Sequence, residues 1–544
     1  MVKMTATCVP YTHVPHSSAV LTDYLYHFDR VRSFYNGSPY DPGSYRAVAE
    51  QLRGFATSRR EIAEVLAQQN RAFGCSEPTL ANIQRLSEPG TFAVVTGQQV
   101  GLFSGPAFTL YKALTTVRLA QSLSEQGLSC VPVFWLATED HDLEEVAEGA
   151  IFDEEYNLVL LRDAGDRPSP RSPVGQARHT KEVSEALGQI EAALPAGQER
   201  SRLLQDLREC YVPGATWGES FGRFMTRLFS RWGVILLNPL DELLHRLSAA
   251  VYQRALANAA ELRSGVLEDT RALVQRGYHA QVHAVEESTL LFVARHGDRV
   301  ALHQRDGAFF TEGSEEISPS ELQRLLAERP LDFSPNVLLR PVVQDSLLPT
   351  VAYVAGPSEL AYLGQTQSLY RAMGRPQPVI FPRAAFTLLD SRVDRWMEKY
   401  KLSLVDVWQG DEHLSQKIAD TGFAEGWPER FNQGERELGQ LLDRLQPDIE
   451  RLDPTLLDTL QHAKEKMKYQ LERLRSKVTR AALGRSDLLV RHVQALSRCL
   501  LPHKDLQERR VGGVYFLGRA GYELLDRLLA QTQVRCSDHQ AFRF

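Results

Sequence analysis

Residues 92–123, FAVVTGQQVGLFSGPAFTLYKALTTVRLAQSL, decide the fold. Phe92–Val95 is a short apolar run rich in valine. Thr96-Gly97-Gln98-Gln99-Val100-Gly101-Leu102-Phe103-Ser104-Gly105-Pro106 follows, and from Ala107 the apolar residues recur at helical spacing. The pattern predicts strand, glycine loop, helix. Ser104 or Gly105 is placed to cap that helix, with Pro106 in its first turn. A second apolar run, Val131–Ala137, ends in Thr138-Glu139-Asp140-His141-Asp142. A helix returning to a parallel strand is the βαβ unit of a doubly wound α/β sheet.

The surrounding chain has 544 residues and a net charge of −6, with 43% hydrophobic and 24% charged residues. That composition excludes wholesale disorder and fibrous repeats. Mild acidity argues against a protein that coats nucleic acid. No apolar run reaches the roughly 18 residues a membrane span needs. The first twenty residues show no apolar run of about 7–15 residues, so no secretory leader is expected. The six cysteines are scattered, without metal-like spacing, and read as reduced cytosolic thiols.

Outward from the glycine segment, residues 1–90 read as mostly helical, with Ser58–Phe73 stopped by Gly74. Asn157–Leu161 reads as a strand, Lys181–Arg231 as helices, Trp232–Pro239 as a buried strand and 240–276 as helical. Tyr278–Thr311 (HAQVHAV, TLLFVAR, RVALHQ, AFFT) alternates like an antiparallel meander inserted into the core. Parallel-strand texture returns at Val337–Leu339, Val351–Ala355 and Pro378–Phe381. Gly434–Leu501 is almost wholly helical. Leu456, Leu460, Ala463, Met467, Leu471, Leu474 and Val478 form one apolar stripe, a coiled-coil or helical-hairpin signature. Pro447 predicts a break in that run, Asp453-Pro454 an N-cap and first turn, and residues 514–531 one more helix.

Three constellations can carry chemistry. In the first, Thr96, Gly97, Gln98, Gln99, Gly101 and Gly105 let backbone approach a ligand, and the helix N-terminus and Lys112 attract an anion. The spacing is neither a P-loop nor G-x-G-x-x-G, and a ligand-free tight turn is the plainer alternative. In the second, Glu139, Asp140, His141 and Asp142 stand at a strand's carboxyl end. There a histidine between carboxylates suits a general base, its charged form favoured by its neighbours. The same oxygens suit Mg²⁺, and an acidic helix start is the plainer reading. No second histidine or cysteine stands at zinc spacing, so no dedicated metal site is expected. In the third, Arg340, then Gly356 with Glu359, Tyr362 and Gln365 at helical spacing, faces the same cleft. Arg383 is suited to a forked contact with carboxylate or phosphate.

At these residues the sequence resembles a known family. VVTGQQVGLFSGPAFTLYKA, PVFWLATEDHDLEEV, LLRPVVQDSLLPTVAYVAGPSELAY and VIFPR, in this order, resemble the bacillithiol-biosynthesis cysteine-adding enzymes, the BshC family of cysteine ligases. The resemblance covers essentially the whole chain. It implies an α/β, Rossmann-like core of the nucleotidylyltransferase type, interrupted by connecting-peptide insertions and followed by a helical coiled-coil domain. On that basis 1–150 holds the first part of the core. Residues 151–330 hold the insertions and core strand 232–239, 331–390 the second part, 391–510 the coiled coil and 511–544 a segment returning to the core.

The activity the resemblance implies is amide formation between cysteine and glucosaminyl-malate, the last step of bacillithiol synthesis, by a cytoplasmic homodimer joined through its coiled coil. Small molecules are the implied partners, with no nucleic acid and no membrane. Amide formation from a free carboxylate needs activation, which points to ATP, with Mg²⁺ compatible. His141 would deprotonate the amine, oriented by Asp140 or Asp142. Glu359, Tyr362 and Gln365 would hold nucleotide or sugar hydroxyls. The sequence lacks the H-x-G-H and K-M-S-K-S motifs of the nucleotidylyltransferase type. The alternatives are a nucleotidylyltransferase or class I aminoacyl-tRNA-synthetase-like enzyme acting on another substrate, and a non-enzymatic scaffold.

Overall fold

The computed structural model describes residues 7–54, 58–283, 285–313, 315–422, 426–484 and 486–544. Residues 1–6 of the N-terminal stretch and Ala284 in the expected HAQVHAV strand lie outside these.

Five strands form the central sheet: β1 (Phe92–Gln98), β2 (Cys130–Leu136), β3 (Ile235–Leu237), β4 (Thr350–Ala355) and β5 (Val379–Pro382). Their order is β3-β2-β1-β4-β5, and every neighbouring pair is parallel. This is the doubly wound order, which reverses direction between β1 and β4. Buried on both faces, the strands read as continuous apolar runs rather than as alternation. Within β1, Phe92 and Val94 enter the apolar cluster of Tyr45, Val48 and Leu119. Ala93 and Val95 enter the larger cluster on the opposite face. Helix α1 (Phe108–Glu125) makes the crossover from β1 to β2. Its N-cap is Ala107, without a side-chain cap. Ser104 and Gly105 instead belong to a turn in which Phe103, Ser104 and Gly105 all have positive φ (49°, 75° and 67°).

The chain between β2 and β4 carries the insertion. Ser288–Arg295, Asp298–Arg305, Ala308–Thr311 and Glu316–Ile317 form an antiparallel meander, with turns at the expected positions. The described part of HAQVHAV contains no strand. Val337–Leu339 is not a strand either. Asn336 Oδ1 accepts from the N–H groups of Leu338 (3.1 Å) and Leu339 (3.0 Å), an Asx turn that opens helix α2 (Arg340–Leu347). The strand here is Phe333–Pro335, antiparallel to Ser288–Arg295, so it belongs to the inserted sheet rather than the core. Helix α3 (Pro357–Leu363) follows β4.

Two long helices, α4 (Trp427–Leu452) and α5 (Leu457–Leu483), form the hairpin. Lys464 meets Asp443 at 2.7 Å and Lys468 meets Glu435 at 2.9 Å, which fixes the pair as antiparallel. Pro447 lies inside α4 and does not end it. The break falls at Asp453 (φ −160°), whose side chain accepts from Thr455 N–H at 2.9 Å. Residues 514–531 form two helices, Gly513–Ala520 and Glu523–Gln531, because Gly521 turns the chain at φ 74°. His539–Arg543 then lies parallel to Phe386–Leu389 and antiparallel to Thr7–Val9. Among the described residues no helix is long and apolar enough to cross a membrane.

The turn after β1 predicts its own sensitivity. A Cβ on Gly101 would stand 2.9 Å from Gly105 Cα, whereas one on Gly188, in helix Glu182–Ala193, meets nothing within 4 Å. Gly101→Ala is expected to cost about 1–3 kcal/mol. Gly188→Ala is expected to stabilise by about 0.5–1 kcal/mol, through the helical preference of alanine. Urea denaturation midpoints of the two variants should move in opposite directions.

Candidate functional site

A cavity of about 590 Å³ opens at the carboxyl ends of β1, β2 and β4, where the sheet order reverses. Gly97, Gln98 and Gln99 line it from β1 and the residues after it, and Glu139, Asp140 and His141 from the turn after β2. Gln99 joins the two stretches: its Nε2 donates to Asp140 Oδ2 (2.9 Å) and Glu145 Oε2 (2.6 Å). From the other half of the sheet come Gly356, Glu359, Tyr362 and Arg383, with Arg340 from α2.

Lys112 reaches this cleft from the second turn of α1, and it is not free. Its side chain is 4% exposed and forms an ion pair with Glu359. Its Nζ also donates to Gly97 O (2.8 Å) and Gln98 Oε1 (2.9 Å). Burial disfavours the lysine's charge and the carboxylate opposes that effect. Burial also pushes Glu359 up, but Lys112, the Gly356 N–H and the Tyr353 hydroxyl hold it below the usual carboxylate range. Arg383 is likewise engaged, in a forked contact with the buried Glu508 at 3.0 and 2.6 Å. Glu139 forms an ion pair with His245 at 3.2 Å. Burial works against the charge on His245, yet Glu139 and the Pro330 carbonyl leave its pKa raised.

His141 differs from its expected state. Its nearest partner is Arg299, whose Nη1 lies 3.0 Å from Nδ1, while Asp140 Oδ1 stands at 3.8 Å. Burial and then Arg299 lower its pKa, outweighing Asp140 and Asp142, so its neutral form is favoured. Asp140 uses its oxygens on the His141 N–H (2.7 Å) and on Gln99, and so does not orient the ring. Asp142 caps the short helix Leu143–Val146, accepting from Glu145 N–H at 3.1 Å, and does not line the cavity.

Four other expected binding residues also lie outside the cavity wall. Thr96 spends its hydroxyl on Val354 O (2.9 Å), tying β1 to β4. Gly101 and Gly105 turn away towards the C-terminal segment, where Ala107 N–H reaches Val511 O at 2.8 Å and Gly513 N–H reaches Gly105 O at 3.3 Å. Gln365 is fully buried and clasps the Val282 backbone from both sides, at 3.0 and 2.9 Å. Helical spacing put it on the face of Glu359 and Tyr362, but α3 ends at Leu363.

Residues 4–384 match the family described as "Bacillithiol biosynthesis BshC, N-terminal Rossmann-like domain", and residues 386–544 match its "C-terminal coiled-coil domain". The chain belongs to the BshC family of bacillithiol biosynthesis. Relatives named "Putative cysteine ligase BshC" include those of Koribacter versatilis (36% identity, 99% of this chain, 100% of the relative) and Solibacter usitatus (34%, 99% and 99%). The Salinibacter ruber relative is 34% identical over 96% of this chain and 95% of its own. Membership makes the chain a ligase. A solved chain from Campylobacter jejuni, described as "putative arginyl t-RNA synthetase", aligns over 87% of this chain and 98% of its own. Its TM-score is 0.20 and its identity 10%, too loose a likeness to bear on the fold.

This BshC-family site also contains residues that no local motif marks. Phe108, Trp135, Phe292, Arg299, Tyr353 and Arg509 are among them. Arg299 and Phe292 arrive from the inserted meander, and Tyr353 sits mid-strand in an apolar run, so only the tertiary fold brings them in. Among the described residues, Arg299 and Arg340 have no carboxylate within ion-pair distance. Arg340 instead donates to Gln344 Oε1 (3.0 Å), Tyr353 OH (3.3 Å) and Tyr362 OH (3.5 Å). Both guanidinium groups line the cavity. No group of three or more His, Cys, Asp or Glu side chains among the described residues is placed to hold a metal.

The Lys112–Glu359 pair gives a direct test. Glu359→Gln leaves a buried ammonium unpaired and should destabilise the fold by about 3–5 kcal/mol. Adding Lys112→Met should recover most of that loss. Urea denaturation of the single and double variants measures both.

Proposed function

We propose that this ligase joins the carboxylate of cysteine to the amine of glucosaminyl-malate, using ATP, as the last step of bacillithiol synthesis. The observation that carries the reading is the pair of guanidinium groups, Arg299 and Arg340, that face one cavity without carboxylate partners. The malate half of the acceptor brings two carboxylates and cysteine brings one. Arginine's planar fork suits such groups better than a point charge. Tyr362, Gln98 and the Ser358 hydroxyl add polar atoms for the sugar.

Carboxylate and amine form a salt, not an amide, at neutral pH. Cleavage of ATP supplies the missing leaving group: one carboxyl oxygen departs on phosphate as the C–N bond forms, and the amine nitrogen releases a proton to solvent. Mg²⁺ would enter on the nucleotide's phosphates. The protein's part is to hold both anions, exclude water and steady the charge that builds on the carboxyl oxygen. Under the same reading the enzyme is a cytoplasmic homodimer. The half-covered apolar stripe of α5, with Met467 and Leu474 exposed, supports contact between two hairpins.

Purified protein given cysteine, glucosaminyl-malate and ATP should release bacillithiol, detected by mass spectrometry, with one ATP cleaved per amide. Arg340→Met should raise KM for the anionic acceptor about 10- to 100-fold, the loss of one charge-assisted contact. Absence of product from the wild-type protein overturns the assignment.

A further inference from the structure

The reach of the inserted sheet into the cleft has a chemical consequence. Arg299 sits on Asp298–Arg305, far in sequence from the turn after β2, yet its guanidinium meets the ring of His141. It is clamped from three sides. Its Nε donates to Ser334 Oγ (2.7 Å), its Nη2 to Pro335 O (2.8 Å), and it lies 3.7 Å from the ring centre of Phe292. With those contacts made, the third nitrogen, Nη1, points at His141 Nδ1. The histidine's main chain is also held: its backbone N–H donates to Asp140 Oδ1 and its carbonyl accepts from Arg167 Nη1 at 3.0 Å.

We infer that Arg299 is a positioning residue that holds His141 as the tautomer with a bare Nδ1 and a protonated Nε2, so that the ring serves the cleft as a neutral hydrogen-bond donor and not as a base. The reasoning is one of donor count. A guanidinium has N–H donors only, so the nitrogen it meets must accept. A neutral imidazole that accepts at Nδ1 carries its proton at Nε2. No carboxylate competes. Asp140 lies farther from Nδ1 and is committed to backbone and Gln99, and Asp142 caps a helix. The charges around the ring are Arg167, Arg171 and Arg299 on one side and Asp140 and Asp142 on the other. A proton added at Nδ1 would face the guanidinium directly.

The inference rests on the ligase reading only for the identity of the acceptor: the carboxyl oxygen of cysteine, on which negative charge gathers as the amine attacks. A neutral imidazole with its proton at Nε2 can donate that N–H to the oxygen on which the charge gathers.

The test uses the full chain with ¹⁵N-labelled histidine. Long-range ¹H–¹⁵N spectra of wild type and His141→Gln single out residue 141 among the 15 histidines. In the wild type at neutral pH, Nδ1 should resonate as an unprotonated and Nε2 as a protonated nitrogen. That pattern should persist below the ordinary histidine midpoint of about 6.5. In Arg299→Met the two nitrogens should average towards mixed tautomers, and protonation should move to higher pH. Amide formation by that variant should fall about 10- to 100-fold in kcat, separately from the rise in KM that losing a carboxylate contact brings, and its acid limb should shift upward with the histidine. Arg299→Lys, which keeps a donor, should restore part of both. A wild-type proton on Nδ1, or an Arg299→Met spectrum unchanged at residue 141, overturns the inference. The predicted spectra without any amide product would instead refute the ligase reading and leave the positioning role standing.

Discussion

The buried contact between Lys112 and Glu359 joins the two halves of the sheet at the place where they diverge. Lys112 belongs to the helix that leaves β1 and Glu359 to the helix that leaves β4. Through them Gly97 O, the Gln98 side chain, the Gly356 N–H and the Tyr353 hydroxyl become one network, and Tyr353 passes it on to Arg340. A charge pair in this position is costly to desolvate and gains its net favour only when its remaining donors and acceptors are met. Here the lysine has two further acceptors and the carboxylate two further donors. The switch point of the sheet is held at a fixed width, and that width sets the cavity.

A second buried pair repeats the device one layer deeper. Arg383 follows β5, and its fork closes on Glu508, which also accepts from Phe386 N–H at 3.1 Å. That contact carries the C-terminal segment back to the core, where His539–Arg543 lies between Phe386–Leu389 and Thr7–Val9. Both ends of the described chain therefore brace the wall that bears Arg383. Of the cations lining the cleft, Lys112 and Arg383 are neutralised inside the protein and Arg509 lies 3.5 Å from Asp505. Among the described residues, Arg299 on the inserted sheet and Arg340 on α2 are the arginines of the cleft without a carboxylate in ion-pair contact.

What the sequence made legible follows from what is local. The valine-rich run, the three glycines and the acidic strand end announced β1, β2 and their shared cleft, because a parallel strand buried on both faces has no other pattern to show. The stop at Gly74 and the N-cap at Asp453 were readable because capping is a matter of adjacent residues. Hidden were the contacts made across long separations. Lys112 reads as an anion-binding arm until Glu359, some 250 residues later, is seen to occupy it. Gln365 has the right spacing for the cleft, yet a helix that ends two residues before it turns it inward. Gly101 and Gly105 look like a ligand cradle, and their small size instead lets the turn close on itself, Gly101 against Gly105. In each case a polar or small residue served the packing of the fold where the local pattern suggested a ligand.

The inserted sheet is where local reading fails most and where chemistry gains most. An alternating meander ordinarily reads as ornament on an α/β core. Here it supplies Phe292, Arg299 and Pro335 to the cavity wall, and it decides the state of the histidine that the core presents. The core alone would leave His141 beside two carboxylates, which favour its charged form. Burial of the ring, to which the insertion contributes Phe292, and then the guanidinium it brings to the same nitrogen together reverse that preference. The charge on the imidazole is thus a property of how two parts of the chain meet, which explains why the acidic motif around it pointed the other way.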